Sequence, residues 1–165
     1  MTIKTGDRLP EATFTVIGES GPAPMTTAQV FGGKKVALFA VPGAYTPTCA
    51  EQHVPGFVSR VAELKAKGID TVACTAVNDV FVMDHFAKDT GAAGKISMLA
   101  DGNGDFARAI GLDIDLTKFG LGVRSKRYSM LVDDGVVKSL NIDESPPVHD
   151  KSSAETLCSI IDRSL

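Results

Sequence analysis

Between Lys35 and Val77 the chain passes from a short apolar run, through a helix-like stretch, into a second apolar run, and few architectures accommodate that order. Lys35-Val36-Ala37-Leu38-Phe39-Ala40-Val41 is closed by Pro42-Gly43 and reads as a buried strand. A helix follows from Cys49 to Lys67 and is stopped by Gly68. Pro55 lies inside that stretch and is expected to kink it, since proline lacks the N–H and crowds the preceding turn. Asp70 to Val77 is a second buried strand, with Cys74 in its middle.

The remaining segments extend the alternation. Asn78 or Asp79 can cap a helix from Val80 to Asp89. Ile96 to Ala100 reads as a third strand, and Gly104 to Ile110 as a short helix. Arg127 to Val132 and Val136 to Ile142 flank Asp133-Asp134-Gly135, the signature of a hairpin. Ser152-Ser153-Ala154-Glu155 resembles a capping box opening a last helix, Ala154 to Arg163. Gly18 to Pro24 and Asp143 to Asp150 read as loops, and neither separates segments large enough to be domains. The expectation is one domain over residues 1–165, an α/β sandwich with a central mixed sheet flanked by helices. That order matches the thioredoxin-like arrangement.

Hydrophobic residues make up 44% of the chain and charged residues 22%, which indicates a globular rather than a disordered protein. The net charge of −3 is spread along the chain without a Lys/Arg run, so neither nucleic acid nor an anionic membrane is expected as a partner. No apolar run reaches the roughly 18 residues of a transmembrane helix, and the N-terminus lacks the apolar core of a signal peptide. Three cysteines, an odd number, argue against a disulfide framework and for a reducing cytoplasm. No Cys/His pair has metal-site spacing.

The chemistry concentrates in Pro42-Gly43-Ala44-Tyr45-Thr46-Pro47-Thr48-Cys49, where the first strand gives way to the helix. A helix start leaves N–H groups unpaired and carries partial positive charge, and both favour a thiolate over a thiol. A free cysteine has a pKa of about 8.5, so a depression of roughly two units makes it mostly thiolate at neutral pH. Thr46, three residues earlier, is near enough for its hydroxyl to reach the sulfur or an incoming oxygen. Pro42 and Pro47 stiffen the loop and remove competing donors. Fixed positive charge would come from an arginine: Arg127, at the start of the hairpin, is the first candidate and Arg124 the second. His53, four residues after Cys49, borders the pocket or is a bystander on the helix. Cys74 and Cys158 read as small core residues, and His85 and His149 are isolated.

The pattern Pro42-x-x-x-Thr46-x-x-Cys49 is similar to the active-site motif of peroxiredoxins, and the fuller P-G-A-Y-T-P-T-C resembles the type II (peroxiredoxin-5-like) subfamily. Further matching blocks run along almost the whole chain: His53-Val54-Pro55-Gly56-Phe57, Ala76-Val77-Asn78-Asp79, Leu99-Ala100-Asp101-Gly102, Gly120-Leu121-Gly122-Val123-Arg124-Ser125 and Lys126-Arg127-Tyr128. The resemblance implies a thiol peroxidase in which Cys49 attacks the O–O bond of hydrogen peroxide or an organic hydroperoxide and becomes a sulfenic acid. It implies that Thr46 and Arg127 activate the thiolate and polarise the peroxide, and that Pro42 shields the sulfenate. No metal, haem or flavin cofactor is expected, because the sulfur is the redox centre. Some type II members carry a resolving cysteine in the loop before the last helix, but Asp143 to Asp150 contains none. Cys74, 25 residues after Cys49, has the spacing seen in plant and bacterial type II relatives and is the candidate resolving residue within the chain. The favoured alternative is an outside thiol, with glutathione/glutaredoxin or thioredoxin as reductant. The resemblance also implies a homodimer. Two other classes compete: a disulfide oxidoreductase, disfavoured because there is no C-x-x-C, and a non-catalytic redox sensor or holdase.

Overall fold

The computed structural model describes residues 2–144 and 150–164. Its centre is a seven-stranded mixed sheet in the order β2-β1-β5-β4-β3-β8-β9. The strands are β1 (Thr13–Gly18), β2 (Gly21–Thr26), β3 (Lys35–Ala40), β4 (Thr71–Ala76), β5 (Ser97–Ala100), β8 (Arg127–Asp133) and β9 (Val136–Asp143). A separate two-stranded ribbon pairs β6 (Asp113–Asp115) with β7 (Val123–Ser125). Strands β3, β4 and β5 run parallel, whereas β8 lies antiparallel to β3 on its other side.

The parallel centre arises because β3 and β4 are apolar on both faces and joined by a helix. Ala37, Phe39, Val72 and Cys74 point to one core, while Val36, Leu38, Ala40 and Ala73 point to the other. The first core is covered by α2 (Val54–Ala66), α3 (Val80–Thr90) and α5 (Ala154–Ser164), and the second by α1 (Thr27–Phe31) and α4 (Asp105–Ala109). On α2 the residues Val54, Phe57, Val61 and Leu64 recur at helical spacing and are buried. Phe57 stacks on Phe39 of β3 with ring centroids 4.0 Å apart, which fixes α2 over the sheet centre.

Three expectations are corrected. Residues Gly18 to Pro24 are not a loop: Gly18 pairs with Gly21 across a tight turn, and Pro22 and Pro24 belong to β2. The prolines disguise a strand that tolerates them because it is the outermost one, with one side unpaired. Pro55 does not kink the interior of α2. Residues Cys49–His53 form a wider π-helical turn, in which Val54 N–H reaches the carbonyl of Cys49, and Pro55 falls in the first turn of α2, where its missing N–H costs little. The cap of α5 is shifted by one: Ser153 Oγ accepts from Thr156 N–H, and Ser152 turns into the interior. The turn of the β8–β9 hairpin has positive φ at Asp134 (47°) and Gly135 (78°), as the Asp-Gly pair predicts. Of the expected loop from Asp143 to Asp150, the residues Ser145 to His149 lie outside the described residues.

Candidate active site

The loop after β3 is tied down at several points. Val41 N–H donates to the Thr75 carbonyl of β4, and Ala44 N–H donates to the Asn78 side chain at 2.9 Å. Asn78 therefore clamps this loop, while Asp79 caps α3 by accepting from Val82 N–H. Tyr45 occupies the left-handed region (φ 67°), a strained choice for a bulky residue, and its hydroxyl donates to Asp89 of α3 at 2.6 Å. Gly43 lies in close approach to two side chains. A Cβ there would lie 3.1 Å from Thr46 Cγ2 and 3.3 Å from Arg124 Nη1.

Cys49 sits at the start of the π-helical turn and is fully buried. Two donors meet its sulfur: the Thr46 hydroxyl at 2.8 Å and Nη2 of Arg127 at 3.0 Å. The Thr46 oxygen also lies 2.7 Å from the Gly43 carbonyl. A hydroxyl has one proton and two lone pairs, so Thr46 serves either acceptor in turn. With its proton on the Gly43 carbonyl, it offers a lone pair to a hydroxyl-bearing ligand beside the sulfur.

Arg127 opens β8 and is brought to β3 by the antiparallel register that sets Tyr128 opposite Ala40. Its guanidinium is buried, with Nη1 2.9 Å from His53 Nδ1. His53 Nε2 lies 2.9 Å from the Ser152 carbonyl. A carbonyl only accepts, so Nε2 carries the proton and Nδ1 presents the lone pair that takes an Arg127 N–H. His53 thus belongs to the site and is not a bystander. Its link to Arg127 and the inward-facing Ser152 are not visible in the sequence, where Ser152 looks like a helix cap.

The other candidates take different places. Pro42 is buried in the loop ahead of Cys49. Arg124 does not join the sulfur's donors; it donates from Nε to the Leu121 carbonyl and from Nη1 to that of Val77, bracing the loop at Gly43. Cys74 is fully buried in the same core cluster as Cys49, with the Thr75 carbonyl at 4.0 Å from its sulfur. Burial pushes its thiol far up, the neighbouring Cys49 adds to this, and Arg127 partly offsets it. Cys158 is buried in α5, its thiol also raised, by burial foremost and then by Glu63. All three cysteines are free thiols. His85 is exposed on α3, and His149 lies outside the described residues. Among the described residues no three His, Cys, Asp or Glu side chains converge to hold a metal.

The comparisons with known proteins agree with this geometry. A family model described as Redoxin matches residues 4–158. Chloroplastic Peroxiredoxin-2E of Arabidopsis thaliana is 47% identical over 160 residues, which cover 94% of this chain and 68% of that protein. Peroxiredoxin-2C of Oryza sativa subsp. japonica is 43% identical over 143 residues, covering 86% and 88%. Among solved structures, reduced Prx3 from Vibrio vulnificus in complex with hydrogen peroxide matches with a TM-score of 0.92 at 44% identity, over 97% of this chain and 99% of that one.

Proposed function

The chain belongs to the peroxiredoxins, thiol peroxidases of the redoxin family, and on that premise we propose that Cys49 is the peroxidatic nucleophile toward hydrogen peroxide and organic hydroperoxides. The observation that carries this reading is a fully buried sulfur met by both a hydroxyl and a guanidinium. In a dry site such donors act at full strength on developing negative charge.

The Cys49 thiolate attacks one peroxide oxygen. An S–O bond forms, the O–O bond breaks, and the departing oxygen leaves as hydroxide or alkoxide that takes a proton to become water or an alcohol. Arg127 holds the sulfur's charge beforehand and shares the charge that moves onto the leaving oxygen. Thr46, with its proton on the Gly43 carbonyl, accepts from the peroxide hydroxyl and orients it. Pro42, buried in the loop ahead of Cys49, shields the sulfenic acid from further oxidation. The reading needs no cofactor, because the sulfur is oxidised and later reduced.

Regeneration falls to an outside thiol, glutathione with glutaredoxin or thioredoxin. The first thiol displaces water from the sulfenic acid to give a mixed disulfide, and a second thiol releases Cys49. Cys74 is disfavoured as the resolving residue, because its buried, raised thiol supplies little thiolate. A thiol larger than a peroxide reaches Cys49 only when the loop from Pro42 to His53 opens. The exposed apolar side chains Tyr45, Phe81, Phe119 and Val123 suit a homodimer, and a monomeric mass by light scattering would refute that assembly. The cytoplasm is the proposed compartment, since three free thiols suit reducing surroundings, and cell fractionation tests it.

One equivalent of hydrogen peroxide, followed by intact-mass measurement beside a Cys49→Ser variant, tests the central reading. A rapid gain of one oxygen, absent in the variant, is expected. Loss of two hydrogens would instead indicate an internal disulfide, and an unmodified wild type would overturn the peroxidase assignment.

A further inference from the structure

Arg127 and Asp143 face each other across the β8–β9 register, and a chain of hydrogen bonds returns from Asp143 to the sulfur. The Asp143 carboxylate accepts from the N–H groups of Asp150 (3.2 Å), Lys151 (2.9 Å) and Ser152 (3.1 Å) and from the Ser152 hydroxyl (2.5 Å). This fixes the entry to α5 so that the Ser152 carbonyl meets His53 Nε2. His53 in turn receives Arg127 Nη1 on Nδ1, while Nη2 of the same guanidinium rests on Cys49. Exposures along the chain are 3% for Asp143, 0% for Ser152 and His53, 1% for Arg127 and 0% for Cys49, so bulk water offers no ready substitute for a broken link.

We propose that Asp143 and Ser152 are positioning residues for peroxide reduction, acting through His53 to hold the Arg127 guanidinium against the Cys49 sulfur. The inference rests on Cys49 being the peroxidatic residue. The His53 ring lies beside Phe39 (4.9 Å) and Phe57 (5.6 Å), which set its plane but not which nitrogen bears the proton. The Ser152 carbonyl makes that choice, and Asp143 holds the carbonyl where the choice is enforced. A flipped or mis-protonated ring would turn an N–H toward the guanidinium and displace it. The role is long-range in sequence: Ser152 lies 99 residues from His53, and Arg127 lies 78 from Cys49.

The test uses the full chain and two readouts: ultraviolet titration of the Cys49 thiolate, which needs no turnover, and the single-turnover rate with hydrogen peroxide. Asp143→Asn and His53→Leu are each expected to move the thiolate titration to higher pH and to slow the peroxide reaction about tenfold, the scale of one hydrogen bond to a charged group. Asp143→Asn placed in the His53→Leu background should add no further loss of rate while still lowering thermal stability. An Asp143→Asn protein that folds, is less stable, and keeps the wild-type titration and rate would overturn the proposal, leaving Asp143 as an anchor for α5 only. So would an equal further loss of rate in the double variant. If Asp143→Asn does not fold, Ser152→Ala carries the same test with a smaller loss, about threefold, and an unchanged titration and rate would be decisive against the role. A wild type inert to peroxide but with a Cys49 titration sensitive to Asp143 would instead fault the peroxidase reading and leave the positioning chain standing.

Discussion

Cys49 and Cys74 lie in the same core cluster, both without solvent exposure, yet the protein treats the two sulfurs in opposite ways. Cys74 stands in the middle of β4, and the partner given to its sulfur is a carbonyl at 4.0 Å, an acceptor that cannot stabilise a thiolate. Burial therefore drives its thiol far up. Cys49 stands at a turn, where a hydroxyl and a guanidinium converge on it at 2.8 and 3.0 Å. Burial alone disarms a thiol. Directed donors give Cys49 a different setting, because the low dielectric that penalises an unpaired buried charge also strengthens each hydrogen bond made to the sulfur.

Substitution of the two cysteines gives the largest contrast. Cys49→Ser should abolish peroxide-dependent oxidation of glutathione in the presence of glutaredoxin, whereas Cys74→Ser should sustain it; loss of turnover in the second variant would mean that both sulfurs take part in the cycle. Next comes Arg127→Met, which keeps the bulk but removes the donors. Its peroxide rate constant should fall by a factor of about 10²–10³, the effect of removing an oxyanion donor, and a loss below tenfold would mean that the guanidinium is only structural. Thr46→Val should slow the reaction about tenfold and Thr46→Ser should restore it, since the hydroxyl and not the methyl group faces the sulfur. Equal rates in these two variants would remove Thr46 from the mechanism.

The smallest effect concerns stability at alkaline pH. The folded-state pKa of Cys74 is raised, so the native protein keeps a proton that the unfolded chain releases above about pH 8.5. Stability from this group is complete below that pH and declines above it, with a slope near 1.4 kcal/mol per pH unit. Tyr128, likewise pushed up by burial, adds its own decline above about pH 10. Cys74→Ala should flatten the decline between about pH 8.5 and 10 in denaturant titrations. An unchanged slope would show that Cys74 is not the group that titrates there.

Much of the frame was legible because it depends on neighbours in sequence. The apolar runs of β3 and β4, the Asp79 cap, the Asp134-Gly135 turn and the last helix each follow from a local pattern. The first hairpin was hidden, because Pro22 and Pro24 argue against a strand unless its place at the sheet edge is known. In the site, Thr46 and Cys49 share one turn and were readable together. At Ser152 the S-x-x-E pattern fits a capping box, but Ser153 caps the helix and Ser152 donates its hydroxyl to Asp143.

The α/β alternation, the strand-to-helix junction at Cys49 and the residue types of its motif are local properties of the chain, since periodicity, turn residues and short spacings act over a few residues. Strand register and helix packing bring Arg127 to the sulfur, link it through His53 to Ser152 and Asp143, and, among the described residues, set only a carbonyl against the Cys74 thiol. Those outcomes depend on strand register and on how α2 and α5 pack over the sheet. Long-range packing sets which buried polar groups meet, and it is their meeting that sets the two buried sulfurs apart.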